Sequence, residues 1–273
     1  MSRVHGLHSP FDTLQICSWI ALALLIVSFH VLSIPIARVV DLGTFIAFLF
    51  IFWLFLSLVI TSVLYCSLKD PREIKLNVES RVAPVEDVKS SFRDCSYCSK
   101  LVISASRHCR LCCKCIPHFD HHCRWLNTCI GQVNYSAFLS VLATVNIFLA
   151  VQISFIIFCI YRGFDDSSII SRAFDQKNSS SLIVYQLMAF IYLLTLASAL
   201  VPVAHLTVLH IYLCARGLTT YDWIMEGREK AKLQSQQSPI PLTTITMPTA
   251  ATISLPSATL SSQSAQHVIS IND

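Results

Sequence analysis

The chain has 273 residues, 54% hydrophobic and 13% charged, with a net charge of +4 and a mean hydropathy of +0.60. A soluble domain carries about 25% charged residues, so this composition excludes an ordinary water-soluble globule, and the small positive excess calls for no nucleic acid as partner. The 12 cysteines cluster at metal-ligand spacings instead of spreading as a disulfide framework, which favours a reducing, cytosolic setting for them.

Residues 1–12 are short and polar, within a cytosolic N-terminus taken as 1–15. Thr13 to Ala37 has no Asp, Glu, Lys or Arg, and a span needs about 20 apolar residues, so a first transmembrane helix is predicted over 16–36. A signal peptide fits less well: Arg3 is the sole basic residue ahead of the run, the run is too long and no A-x-A site follows. Pro35 to Asp41 reads as a brief turn, and a second uncharged run predicts a helix over 43–66. A connection this short makes the two an antiparallel hairpin of spans.

The character changes in the loop 67–136, where Lys69 to Arg124 holds 11 Lys or Arg and seven Asp or Glu. A third span is predicted over 137–161, a polar lumenal loop over 162–181 and a fourth span over 182–214. The last is longer than one crossing needs, so it either tilts or projects into the cytosol near its end, with Pro202 as a possible kink. Thr219 and Asp222 stand as N-cap and N3 of a juxtamembrane helix within 215–233. Residues 234–273 are Ser, Thr, Gln and Pro with one charge, a composition that cannot build a core and reads as disordered.

Basic residues set the orientation. Four spans put both termini and the 67–136 loop on one side, which holds Arg3, the 11 loop cations, Arg216, Arg228, Lys230 and Lys232; the other holds Arg38, Arg162, Arg172 and Lys177. The loop therefore faces the cytosol. A sequon at Asn178 falls on the lumenal side and one at Asn134 on the cytosolic side.

Eight cysteines and four histidines lie between Cys95 and Phe138. The repeated C-x2-C spacing is a strong zinc signal. Twelve donors are present where two closed tetrahedral sites need eight, and spacing does not say which four are left over or how the ligands pair. A loop with so few large aliphatics has no other core for its cysteines to join, and a metal supplies the folding energy it lacks. A RING-like module would need a closing C-x2-C pair, whereas Cys129 stands alone.

Asp120-His121-His122-Cys123 sits at the centre. Cysteine reacts as the thiolate, so it needs a base or a lowered pKa. His121 can take the proton, Asp120 can orient that imidazole, and His122 can turn away to serve a metal. Arg124 adds positive potential beside the thiol. The competing reading makes Cys123 one more ligand and Asp120 a surface charge. A thiol nucleophile at a membrane face suits a fatty acyl-CoA, with its head in water and its chain in lipid, because thioester exchange with a thiol costs little free energy.

The pattern C-x2-C-x9-HC-x2-C-x2-C-x4-DHHC-x5-C-x4-N-x3-F, from Cys95 through Asn134 to Phe138, resembles the cysteine-rich domain of the DHHC family of protein S-acyltransferases, the palmitoyltransferases. Asp70-Pro71 after the second span and Thr219-Thr220-x-Asp222 after the fourth resemble that family too. The resemblance implies an all-α polytopic membrane protein, with four transmembrane helices and a cytosolic zinc-stabilised cysteine-rich DHHC domain (95–138) between helices 2 and 3. It implies two structural zinc ions, one on Cys95, Cys98, His108 and Cys115, the other on Cys109, Cys112, His122 and Cys129. It implies Cys123 as the acylated nucleophile, His121 as base and Asp120 as its orienter, with palmitoyl-CoA as acyl donor and cysteines of membrane-associated proteins as acceptors. Cys113 and His118 are left without a role. A Golgi or endoplasmic reticulum membrane goes with the family. The chain departs from it at Val102-Ile103-Ser104-Ala105, where Lys-Pro-x-Arg is common, at Arg124, where Pro is common, and at Asp222, where Glu is common; these bear on rate, CoA contacts and substrate choice. Phe155 and Phe158 in the third span either cap an acyl cavity or face lipid. The alternative function is a catalytically weak, zinc-built membrane adaptor.

Overall fold

A computed structural model describes residues 3–72, 92–175 and 179–237. The polar tail from 238 on, the Asn178 sequon and the loop cations Lys75, Arg81 and Lys89 lie outside the described residues. The chain divides into two units, Met1–Ala231 and Lys232–Asp273; the described part of the second, 232–237, is helical.

Four helices are long and apolar enough to cross a membrane, which supports a multi-pass membrane protein. They are α1 (Thr13–Val40), α2 (Leu42–Leu68), α3 (Tyr135–Asp165) and α5 (Ser179–Arg216), with a short α4 (Ser167–Phe174) between the last two. α6 (Thr220–Gln237) follows α5. α1 begins at Asp12, whose carboxylate accepts the Leu14 N–H at 2.9 Å. The turn expected at Pro35 to Asp41 is instead helix through Val40. Pro35 has no N–H to donate, and the chain meets this with a wider π turn over Phe29–Ser33, where the Ile34 N–H reaches Phe29 O. Asp41 then caps α2, accepting the Thr44 N–H at 2.8 Å and the Thr44 hydroxyl at 2.6 Å.

α3 packs against both α2 and α5. The core at this junction is aromatic. Phe29 stacks on Phe52 with centroids 3.9 Å apart, and Phe48 on Phe155 at 4.0 Å. Phe155 is thus buried among the helices, and Phe158 packs against Phe48 beside it. Burial turns Phe155 away from lipid, while Phe158 keeps part of its surface exposed. The outward faces carry exposed Phe50, Trp53, Ile157, Ile183 and Val201, as expected of surfaces that meet hydrocarbon. Three polar pairs bridge the helices: Tyr192 donates to Gln152 at 2.5 Å, Ser62 meets Thr144 at 2.9 Å and Asn146 donates to Thr207 at 2.8 Å.

The chain is mostly helical, but its cysteine-rich part adds three antiparallel hairpins to the all-α expectation. They are β1 (Phe92–Cys95) with β2 (Lys100–Ile103), β3 (Arg107–Cys109) with β4 (Lys114–Ile116), and β5 (His121–Cys123) with β6 (Thr128–Ile130). They follow α2 and precede α3 in the chain. The turns are tight enough to force left-handed backbone at Ser99, Cys113 and Asn127, with φ of 49°, 51° and 53°, a region non-glycine residues seldom enter. Strands this short cannot hold themselves together, so the hairpins depend on what their Cys and His side chains bind.

Candidate active site and metal centres

The hairpin register decides where the donors go. His108 pairs across from Cys115, and His122 from Cys129. The turns of the first two hairpins bring in Cys98 and Cys112. Two groups of four result: Cys95, Cys98, His108 and Cys115 in one, Cys109, Cys112, His122 and Cys129 in the other, with donor atoms in each group within 4.8 Å of one another. The spacing within the groups is finer still. Cys98 Sγ is 3.5 Å from Cys115 Sγ, which is 3.7 Å from His108 Nδ1; His122 Nδ1 lies 3.8, 3.3 and 3.6 Å from the sulfurs of Cys109, Cys112 and Cys129. A tetrahedron with bonds of about 2.3 Å to sulfur and about 2.0 Å to nitrogen has edges of about 3.5–3.8 Å. Both donor sets therefore fit zinc.

Neighbouring residues on one strand point opposite ways. So β3 sends His108 to the first group and Cys109 to the second, which joins the two through one hairpin. The same alternation sorts β5. His122 turns to the second cluster, while His121 and Cys123 share the other face.

On that face Asp120 is buried, and its Oδ2 sits 2.6 Å from His121 Nδ1. Its Oδ1 accepts the Thr220 backbone N–H at 2.8 Å, from the start of α6. Burial alone would raise the Asp120 carboxyl, but the hydrogen bonds from His121 and Thr220 hold it below the usual carboxylate value. Burial likewise opposes a charged imidazole, yet the bonds to Asp120 and Cys123 outweigh it and push His121 up to about 9. The charged form that His121 reaches on taking a proton is thereby stabilised. Cys123 is buried beside Cys66 at the end of α2 and Ala137, Phe138 and Val141 at the start of α3. The thiol thus lies where the hairpins meet the ends of two membrane-capable helices.

The supporting motif residues also find partners. Buried Asn134 accepts from the Gly131 N–H at 3.0 Å and donates to Cys129 O at 2.9 Å, which fixes the turn behind a cluster ligand. Thr219 Oγ1 accepts the Asp222 N–H at 3.1 Å and donates to Asp222 at 2.7 Å, capping α6. Asp70 takes the buried Lys114 ammonium at 2.6 Å and so ties the end of α2 to β4.

One family model matches the chain, DHHC palmitoyltransferase, over residues 88–227, just over half of the sequence. The chain belongs to the DHHC palmitoyltransferase family. A search of curated proteins gives no match. The two Cys/His clusters fit the zinc sites typical of a DHHC domain, and Cys113 and His118 stand outside both, each at a left-handed position with φ of 51° and 44°.

Two features of this DHHC domain escape a reading by motif. The first is an N-terminal strap. Arg3 binds Asn127 through its guanidinium and Cys112 O through its N–H at 3.0 Å; Gly6 N–H donates to Ser67 O at 2.8 Å, and Lys114 to Val4 O at 3.2 Å. Arg124, read from the sequence as positive potential beside the thiol, is exposed and paired with Asp12 at 2.9 Å. Its charge is offset there, and it pins the strap to the hairpin. The second is His210 on α5, whose ring nitrogen lies within 4.8 Å of Asp120 and His121. It sits in an apolar run, and no local spacing marks it.

Proposed function

We propose that this chain is a protein S-acyltransferase that moves a palmitoyl or other long-chain acyl group from acyl-CoA, through acyl-Cys123, to cysteine thiols of membrane-associated proteins. The observation that carries the reading is the buried Asp120–His121 bond of 2.6 Å on the same strand face as Cys123. Asp120 engages His121 Nδ1, which leaves Nε2 for the Cys123 thiol. In the first step Nε2 takes the thiol proton and the thiolate attacks the thioester carbonyl; the bond from carbonyl carbon to CoA sulfur breaks, and CoA leaves with that proton. In the second step the acceptor cysteine gives its proton to His121 and its sulfur takes the acyl group, so Cys123 is released and reprotonated. This is covalent, ping-pong catalysis.

Zinc bound by Cys95, Cys98, His108 and Cys115, and by Cys109, Cys112, His122 and Cys129, would cross-link hairpins too short to fold alone. The acyl chain would lie among the spans that start beside Cys123, where each buried CH₂ contributes about 0.8 kcal/mol. The excess of Lys and Arg on the loop and termini supports a cytosolic catalytic face, and membership of the family supports an endomembrane such as Golgi or endoplasmic reticulum.

Labelling purified protein with an alkyne fatty acyl-CoA tests the reading. Wild type should take up hydroxylamine-sensitive label, and Cys123→Ser should not. Label that persists in Cys123→Ser refutes the nucleophile, and a zinc-loaded wild type that takes none favours the adaptor.

A further inference from the structure

His210 is 1% exposed, on the fourth membrane-capable helix, 90 residues along the chain from Asp120. α5 has 38 residues, about 57 Å at about 1.5 Å per residue, against about 30 Å of hydrocarbon. The helix therefore outlasts one crossing, and its last turns reach the hairpins. Thr220, just past its end, meets Asp120 through a backbone N–H at 2.8 Å. His210 approaches the same pair from within the helix.

A short relay fixes the His210 ring. The Cys214 thiol donates to the Tyr135 hydroxyl at 3.5 Å, and that hydroxyl lies 3.0 Å from His210 Nδ1. This contact allows either direction, and in the arrangement proposed below the Tyr135 O–H donates to Nδ1. A neutral His210 then carries its hydrogen on Nε2, the nitrogen left for the pair. The His210 ring also walls His121: the two centroids are 5.8 Å apart, and Phe138 closes the triangle at 5.1 Å from His121 and 4.9 Å from His210.

We propose that His210 is a positioning residue for the Asp120–His121 pair, held through Nδ1 by Tyr135 and presenting an Nε2–H edge to the Asp120 carboxylate. The fourth helix in this way sets the orientation of the carboxylate that orients the base. A histidine merely buried in a helix interface needs a partner for its polar nitrogen, and Tyr135 alone would satisfy that role; the two roles differ in which nitrogen matters.

The inference rests on the acyltransferase reading above, and the test separates the two. Three variants are compared with wild type in detergent: His210→Gln, whose amide N–H stands where Nε2–H stood; His210→Asn, whose carbonyl stands where Nδ1 stood; and His210→Phe, which keeps the ring alone. Single-turnover acylation by palmitoyl-CoA is one readout. The other is the alkylation rate of Cys123, resolved by mass spectrometry, which needs no acyl donor. Removing the partner that orients a metal-bound histidine costs about 10–100-fold, and the same order is expected for the pair here. The Asn and Phe variants should fall by about tenfold or more, and the Gln variant should keep at least about a third of the wild-type rate. Phe at the wild-type rate, or Gln no faster than Asn, overturns the proposal. Where the His210 variants lose zinc, Tyr135→Phe decides instead: it deletes one hydroxyl and should slow both readouts severalfold, and unchanged rates overturn the proposal. A wild type that is not acylated at Cys123, while Cys123 alkylation still follows the expected order, sinks the acyltransferase reading and leaves the positioning role standing.

Discussion

On the proposed mechanism, Asp120→Asn is the most informative single change. Asparagine has the same shape as aspartate, so Oδ1 still accepts the Thr220 N–H that it accepts now at 2.8 Å, and α6 stays docked. The group facing His121 Nδ1, now a carboxylate oxygen at 2.6 Å, becomes an amide N–H. Two donors cannot share that hydrogen bond, so His121 gives up the proton on Nδ1 and carries it on Nε2, where it no longer accepts one from Cys123. The same swap in a serine-hydrolase triad lowers turnover about 10⁴-fold. Cysteine is the better nucleophile at neutral pH and needs its base less, so a loss of about 10²–10⁴ is expected here, or about 2.7–5.4 kcal/mol of barrier at 1.36 kcal/mol per tenfold. Rapid-quench measurement of Cys123 acylation, on protein shown to hold its zinc, reads this directly. A rate within about threefold of wild type would refute the assignment of Asp120 and His121 to proton transfer, because the substitution leaves packing intact and reverses only the hydrogen bond.

Three further outcomes test the frame around the site. Cys109→Ala should cost both metal centres, since β3 supplies His108 to one cluster and Cys109 to the other; elemental analysis should find well under one zinc per chain, and one full equivalent with the hairpins folded would contradict the shared-hairpin account. Gly6→Ala places a Cβ 2.1 Å from the Leu126 carbonyl oxygen, a backbone atom that cannot swing aside, so the strap should lift off at a cost of about 1–3 kcal/mol, read as a lower melting temperature in detergent; an unchanged melt would mean the strap contributes nothing. Asn134→Ala strips the partners from the Gly131 N–H and Cys129 O, and with about 1–3 kcal/mol for each buried group left unpaired it should lower the melt and weaken zinc retention together; a stable, fully metallated variant would count against that role for the amide.

Much of this protein is written locally in its chain. Uncharged runs about 20 residues long mark the four membrane-capable helices, and repeated C-x2-C spacing marks metal donors, because each signal lies within a few turns of sequence. Thr219 and Asp222 were legible as a cap for the same reason, since they are three residues apart and bond to each other. Sequence spacing failed where a local rule met a compensating distortion: Pro35 suggested a turn, but the π turn before it let the helix run on to Val40.

The sequence by itself determined the kinds of donors, the apolar lengths and the Asp120-His121-His122-Cys123 motif on which the proposed chemistry rests. The tertiary structure alone decided which groups share a site. Strand alternation in β5 places His121 beside the thiol and His122 at a metal cluster, a separation that adjacency in the chain conceals. Arg124 found Asp12, 112 positions away, and Asp120 gained Thr220 from 100 positions away. His210 reaches the same pair from inside an apolar run. Such contacts form when helices outlast the bilayer and fold their ends onto the hairpins, so no periodicity or motif records them.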